Sequence, residues 1–142
     1  RMIKVTCAII IQNEKILLTQ RGEHPHHPFQ WEFPGGKINP EEMESECILR
    51  EIDEELGIQV EILERLDPAE FDYGFKTIEL IPFICFIQEG KIKLNEHIDF
   101  KWIKLQEAGA MDISEADRKV ISNERNISLL EKYIGKQMDD SR

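Results

Sequence analysis

Three glutamates with helical spacing are the residues of this chain best suited to chemistry. Glu51, Glu54 and Glu55 stand at i, i+3 and i+4, so a helix would place all three carboxylates on one face. Like charges at this spacing destabilise a helix by about 0.2–0.5 kcal/mol per pair, and a bound cation would offset the repulsion. Mg²⁺ binds carboxylate oxygens and usually shares substrate phosphates. The spacing indicates a magnesium site, and the alternative is a solvated acidic face.

The flanking residues predict where this helix begins and ends. Asn39 is an N-cap residue, Pro40 would occupy the first helical position, and Glu42 stands in capping-box register with Asn39. Gly57 is a C-terminal stop. The opposite face carries apolar residues that would dock on a sheet, namely Ile48, Ile52 and Leu56.

A glycine-rich segment precedes the helix. The residues 33–36 read Phe-Pro-Gly-Gly and predict a turn in which paired glycines let the backbone approach a ligand closely. The expected order is therefore a strand end, a tight turn and a helix with an acidic face.

The segment from Gly36 to Ile58 resembles the Nudix box, with Gly36, Glu42 and the run Arg-Glu-Ile-Asp-Glu-Glu-Leu-Gly-Ile over residues 50–58 in register. The preceding segment 31–37 is similar to the MutT branch, whose members hydrolyse nucleoside triphosphates to monophosphate and pyrophosphate. The resemblance covers roughly residues 3–121. It implies an α/β fold, an α/β/α sandwich with a mixed β-sheet, in one domain over residues 1–142 with a C-terminal helix and tail at 122–142.

The resemblance also implies roles for individual residues. Arg50 would orient a catalytic glutamate by ion pairing, Glu51 is the candidate general base, and Glu54 is a further catalytic residue. Mg²⁺ is the expected cofactor, with Mn²⁺ as a substitute. The implied metal ligands are the Gly35 carbonyl, Glu51, Glu54, Glu55 and Glu96, and the residues of structural importance are Gly36, Glu42 and Gly57.

The nucleotide contacts implied by the MutT branch are Arg21, His26, Glu32, Phe33, Pro34, Gly35 and Asp117. Several of them have a structural alternative. Apart from the resemblance, a surface arginine is the favoured interpretation of Arg21, and Trp31 and Phe33 could equally be core aromatics on one face of a strand. Asp117 would complete a capping box with Ser114. It also departs from the asparagine of the oxidised-guanine branch, and an ionised aspartate accepts hydrogen bonds without donating them.

Three histidines, His24, His26 and His27, alternate with prolines in the segment 22–30. A transition-metal site is one interpretation of this cluster. The prolines disfavour a helix or strand that would hold ligand geometry, so a mobile loop beside the active site is the preferred interpretation.

Composition limits the remaining possibilities. The 142 residues suffice for one domain with a buried core, and a net charge of −10 argues against a nucleic-acid partner. The three cysteines have no zinc-like spacing, which predicts free thiols in the cytoplasm. No apolar run reaches membrane-spanning length, so no membrane partner is expected, and both a monomer and a dimer are compatible with the pattern.

Hydrophobic patterns place the other elements. Strands are predicted at 3–11, 15–20, 59–65, 75–88, 91–94 and 100–105, with a polar connection at 67–74. Pro82 would divide the fourth of these into two strands or mark a bulge or an edge. A helix is predicted from Ser114, another over 127–134, and a frayed tail at 136–142.

The leading functional hypothesis is Mg²⁺-dependent hydrolysis of oxidised nucleoside triphosphates, with 8-oxo-dGTP as substrate, in sanitising the nucleotide pool. Hydrolysis of CTP or 5-methyl-dCTP is the alternative within the class. The alternative of a different class is a catalytically inactive module that senses nucleotides. The unbroken set of carboxylates argues against inactivity, since a binding module has no need of them.

Overall fold

One mixed sheet of eight strands organises the computed structural model, which describes residues 2–140, with side chains through residue 136. The strands are β1 (Met2–Gln12), β2 (Lys15–Gln20), β3 (Trp31–Glu32), β4 (Gly35–Lys37), β5 (Gln59–Arg65), β6 (Ala69–Asp72), β7 (Thr77–Glu89) and β8 (Asp99–Ile103). The helices are α1 (Glu44–Leu56), a 3-10 helix (Leu105–Ala110), α2 (Glu115–Val120) and α3 (Glu124–Asp140).

The strand β1 lies at the centre of the sheet. It pairs in parallel with β7 and antiparallel with both β2 and β4. The continuous path through the sheet is β3-β2-β1-β7-β5. In addition, β8 pairs antiparallel with β2, and β6 pairs antiparallel with β7. The short strand β4 is thereby held against the middle of β1, and it also contacts α1.

Both faces of β1 are buried, as its apolar run predicts. Ala8 and Ile10 face one core, which contains the apolar side of α1. Ile9 and Ile11 face a second core, to which α2 and α3 contribute. Helices therefore cover the two faces of a mixed sheet, and the predicted α/β/α arrangement is confirmed.

The predicted start of α1 is wrong. The helix begins at Glu44, because Glu41 has φ 67° and a left-handed residue cannot lie within a right-handed helix. Asn39 and Glu42 form a separate turn, in which the Asn39 N–H donates to the Glu42 carboxylate at 3.0 Å. The predicted end is correct, since Gly57 adopts φ 65° and its N–H donates to the Asp53 carbonyl.

The predicted glycine turn is also wrong, because Gly35 and Gly36 belong to β4. A Cβ on Gly35 would collide with the backbone of Thr6 on β1. A Cβ on Gly36 would collide with the carboxylate of Glu51 on α1. Close approach on both sides of β4, rather than a turn, requires the two glycines.

Pro82 does not divide its strand, since β7 runs unbroken past it. Its carbonyl accepts from the Leu66 N–H just beyond β5, before the pairing of the same edge of β7 with β6 begins. The register shifts lie in β5, between Gln59 and Val60 and between Ile62 and Glu64. The proline thus occupies the gap between two ladders, where a missing N–H leaves no pair broken.

Four further elements differ from prediction. The segment 91–94 is not a strand, because its backbone binds the end of α1, with the Lys93 N–H donating to the Leu56 carbonyl. The connection predicted at 67–74 contains β6, and the 3-10 helix was not foreseen. The tail expected to fray is helical through Asp140, and residues 141 and 142 lie outside the described residues. No described helix has the length and apolarity to cross a membrane.

Truncating the two leucines of α1 tests this packing. Leu56 is fully buried and Leu49 is exposed on the same helix. We expect Leu56→Ala to lower the free energy of unfolding by about 2–5 kcal/mol, because it leaves a cavity, and Leu49→Ala to change it by less than about 0.5 kcal/mol. Urea denaturation measures both, and equal losses in the two variants would contradict the placement of α1.

Candidate active site

Arg50 clamps the carboxylates of the acidic helix. Its Nε and Nη2 donate to the two oxygens of Glu42 at 2.7 and 2.9 Å, and its Nη1 donates to Glu51 at 3.0 Å and Glu54 at 3.2 Å. The hydrogen bond from Arg50 is the main cause that lowers the pKa of Glu42 to about 2. Glu42 therefore anchors Arg50, in place of the helix-capping role predicted for it.

Glu55 is the most deeply buried carboxyl group of this helix. It is 5% exposed, and its Oε1 accepts from the Gly35 N–H at 3.1 Å. Burial, together with the charges of Glu96 and Glu51 and a hydrogen bond with Glu96, raises its pKa to about 9. Burial likewise raises the pKa of Glu51, against the opposing hydrogen bond from Arg50. The fold has thus brought Glu96 to the acidic cluster of Glu51, Glu54 and Glu55.

These residues fit a hard divalent cation by the chemistry of their donors. All are carboxylates, and burial, with the charges of the neighbouring carboxylates, raises the pKa of Glu51 and of Glu55, which a bound cation would oppose. Among the described side chains, no three histidine, cysteine, aspartate or glutamate groups are arranged to hold a metal ion as they stand. Arg50 and the Gly35 N–H instead engage three of the carboxylates.

A cleft opens beside the acidic cluster, on the α2 side of the sheet. Its empty space is roughly 590 Å³, open solvent at its mouth included. Its walls contain six of the seven residues predicted to contact a nucleotide: Arg21, His26, Glu32, Phe33, Gly35 and Asp117. Pro34 is buried and does not line the cleft, and its carbonyl accepts from the Ala8 N–H.

Glu32 is held by two donors at the wall of the cleft. Its Oε1 accepts from Arg21 Nε at 2.7 Å, and its Oε2 lies 3.0 Å from His97 Nε2. Burial alone would raise the pKa of Glu32, but the hydrogen bonds from His97 and Arg21 outweigh it and the net pKa is lowered. Arg21 is therefore not a free surface arginine. His97 escaped prediction because its partner lies 65 residues away.

Asp117 does not complete the predicted capping box on α2. Its Oδ1 accepts from the Phe33 N–H at 2.9 Å, while the Ser114 N–H donates to the Trp31 carbonyl. Burial, with the charge of Glu32, raises the pKa of Asp117 to about 7. Asp117 thus binds the backbone of the cleft wall. Its pKa lies close to neutral pH.

Aromatic side chains form the remaining wall. Trp31 and Phe33 are both buried in the core, and Phe33 also lines the cleft. His26 stacks on Phe75 with ring centroids 4.1 Å apart and planes 19° apart. The Tyr73 hydroxyl accepts from the Ala116 N–H at 3.0 Å. Sequence reasoning missed this wall, although Phe71, Tyr73 and Phe75 alternate with the period of a strand.

Comparisons with known proteins find a matching family, similar chains and similar structures. The NUDIX domain family matches residues 2–123. CTP pyrophosphohydrolase of Escherichia coli K12 is 32% identical over 82% of this chain and 87% of its own. The 8-oxo-dGTP diphosphatase of the same organism is 30% identical over 78% and 86%. The crystal structure of MutT protein from Methanosarcina mazei Go1 superposes with a TM-score of 0.77 at 28% identity, covering 85% of this chain and 91% of that one.

The raised pKa of Asp117 predicts a pH-dependent stability. An unfolded aspartate titrates near about 3.9 and Asp117 in the fold at about 7, so the free energy of unfolding falls as pH rises from about 4 to 7, by on the order of 4 kcal/mol from this group. Asp117→Asn lacks this titration and keeps the oxygen that accepts from Phe33. We expect the stability of the variant relative to wild type to rise across that interval, as measured by urea denaturation in EDTA. The exposed Asp53→Asn is the control, and parallel profiles for D117N and wild type would refute the prediction.

Proposed function

The chain belongs to the Nudix family, and we propose that it is a Mg²⁺-dependent nucleoside triphosphate pyrophosphohydrolase that releases nucleoside monophosphate and pyrophosphate. The observation that carries the proposal is the contact between Gly35 and Glu55. Gly35 lines the cleft, and its N–H donates to the acidic cluster. A nucleotide in the cleft would therefore direct its phosphates across β4 towards those carboxylates.

The metal would be held by Glu51, Glu54, Glu55 and Glu96, with the Gly35 carbonyl as a further candidate. When bound, it would neutralise phosphate charge and lower the pKa of the attacking water. Glu51 is the candidate general base. Its Oε1 is engaged by Arg50 Nη1, so Oε2, which has no hydrogen-bond partner among the described residues, would take the proton from water.

The cleft residues would bind the nucleoside and its first phosphates. Arg21 offers N–H groups to a phosphate or a base edge, and its orientation is fixed by Glu32. Phe75 is half exposed and offers an aromatic face for base stacking, which the ring of His26 covers in this structure. Lys76 adds a cation to the same wall.

The leading substrate is 8-oxo-dGTP, in sanitising the nucleotide pool. Asp117 lies at the cleft wall beside Phe33, where a carboxyl oxygen would accept from the N–H groups of a guanine edge. The relative named 8-oxo-dGTP diphosphatase supports this choice. The three buried, free cysteines support a reducing compartment, the cytoplasm, in which such an enzyme would act.

A second candidate substrate is CTP or 5-methyl-dCTP. The same acceptor on Asp117 would bind the cytosine amino group, and the relative at 32% identity is named CTP pyrophosphohydrolase. The two candidates share the acidic cluster and the reaction, and differ only in the base held against Asp117.

A substrate panel tests the proposal. We expect Mg²⁺-dependent pyrophosphate release, abolished by EDTA, with kcat/KM higher for 8-oxo-dGTP than for dGTP, CTP, 5-methyl-dCTP and ADP-ribose. A preference for cytidine nucleotides would select the second candidate. No turnover of any substrate in Mg²⁺ or Mn²⁺ would replace the enzyme with a nucleotide-sensing module.

Neutralising single carboxylates tests the metal site. Glu54→Gln and Glu55→Gln should each lower kcat by at least about 10²-fold, because each removes a metal ligand. In EDTA at pH 8, Glu55→Gln should be at least as stable as wild type, because burial and the neighbouring charges raise the pKa of Glu55 to about 9, so the fold must keep this carboxyl protonated, a cost that glutamine does not incur. The exposed Glu61→Gln is the matched control for both measurements. Near-normal turnover in either cluster variant would remove that residue from the metal site.

A further inference from the structure

One buried histidine links the acidic cluster to the cleft. His97 follows Glu96 directly, and its side chain is 6% exposed. While Glu96 reaches Glu55, the imidazole of His97 reaches Glu32 on the cleft wall, with Nε2 3.0 Å from Oε2. Neighbouring residues of one segment therefore contact the two halves of the site.

The backbone around His97 is held without any help from its side chain. The Asn95 N–H donates to the Glu55 carbonyl at 3.0 Å, and the Asn95 side-chain amide donates to the Glu54 carbonyl at 2.8 Å. The Ile98 N–H donates to the Gln20 carbonyl on β2 at 3.0 Å. The segment is thus fastened to α1 on one side and β2 on the other, and a change at His97 would leave it in place.

The hydrogen bonds identify which ring nitrogen of His97 carries the proton. Glu32 is an acceptor, so Nε2 must be the donor between them. His97 Nδ1 is buried and has no hydrogen-bond partner in the part of the chain that the structure describes. A proton on Nδ1 would leave a buried donor unsatisfied, which is more unfavourable than a lone acceptor. The hydrogen bond to Glu32 therefore requires a proton on Nε2.

The bond from His97 determines where Arg21 lies. His97 occupies Oε2 of Glu32, which leaves Oε1 for Arg21 Nε at 2.7 Å. Arg21 Nη1 also donates to the His26 carbonyl at 3.4 Å. Without His97, the Glu32 carboxylate would be free to rotate and the orientation of Arg21 in the cleft would no longer be unique.

We propose that His97 is a positioning residue for the nucleotide, which donates from Nε2 to Glu32 and thereby fixes the Arg21–Glu32 pair at the cleft wall. This rests on the proposed function of the cleft. Interactions made with both the ground state and the transition state appear in KM more than in kcat, so the effect of His97 should be a KM effect.

Three substitutions separate this role from a general structural one. His97→Phe keeps the volume and removes the donor. The Gln side chain places its amide nitrogen near the position of Nε2, whereas the shorter Asn places it near Nδ1. We expect H97F and H97N to raise KM for the triphosphate by about tenfold or more, the loss expected for one hydrogen bond to a charged group. In both variants kcat and the Mg²⁺ concentration for half activation should stay within about threefold, and H97Q should restore most of the lost affinity.

Several results would overturn the proposal. An unchanged KM in H97F would show that the bond to Glu32 does not position the nucleotide. A raised Mg²⁺ requirement with unchanged KM would place the role of His97 at Glu96 instead. Equal defects in H97Q and H97N would show that the donor position is irrelevant.

A spectroscopic measurement judges the proposal independently of activity. The chain has four histidines, and ¹⁵N–¹H correlation spectra of the rings distinguish the tautomers, with the H97Q spectrum assigning the His97 signal. We expect a proton on Nε2, and a ring protonated on Nδ1 alone overturns the proposal. If wild type turns over no nucleotide, the proposed function fails, while the tautomer still decides whether His97 holds Glu32.

Discussion

The site depends on carboxylates that the fold holds closer together than their charges favour. Glu51, Glu54 and Glu55 share one helix face, and Glu96 is brought to them from a distant segment. The repulsion is opposed at one end by Arg50, which donates to both Glu51 and Glu54. At the other end nothing cationic contacts Glu55 among the described residues, and its pKa is raised to about 9. One end of the cluster is therefore neutralised by Arg50 and the buried end is not. A cation would bind most favourably at the buried end, beside Glu55.

Two glycines make it possible for this cluster to lie against the cleft. β4 passes between β1 and α1 so closely that a side chain on Gly35 would meet Thr6, and one on Gly36 would meet Glu51. The Gly35 N–H then donates to Glu55 on one side of β4, while Gly35 lines the cleft on the other. A substitution here would separate the two halves even if every charged residue remained. Gly35 and Gly36 are therefore needed because β4 lies so close to β1 and α1, and not because the chain turns there.

The sequence predicted features that depend on neighbouring residues, and it missed features that depend on contacts between distant parts of the chain. The acidic face, its stop at Gly57 and the two-faced burial of β1 follow from periodicity and were correct. The start of α1 was wrong because the same residues, Asn39 and Glu42, satisfy a capping pattern and an isolated turn equally well, and only the left-handed Glu41 distinguishes them. His97 could not be found, because a lone histidine gains meaning only from Glu32, 65 residues earlier. The roles assigned to the metal and nucleotide residues stay predictions.

An acidic protein that binds a polyanion must place its few cations with care. The chain carries a net charge of −10, so a nucleoside triphosphate would meet a repulsive field over most of the surface. At the cleft, burial, with the charges of Lys37 and Arg21, lowers the pKa of Lys76, and these cations therefore act on one another. Arg21 is balanced by Glu32, whereas Lys76 has no such carboxylate bound to it among the described residues. An incoming phosphate would relieve that mutual repulsion. It would also attract a cation held by the acidic cluster, so binding of the metal and binding of the substrate would favour each other.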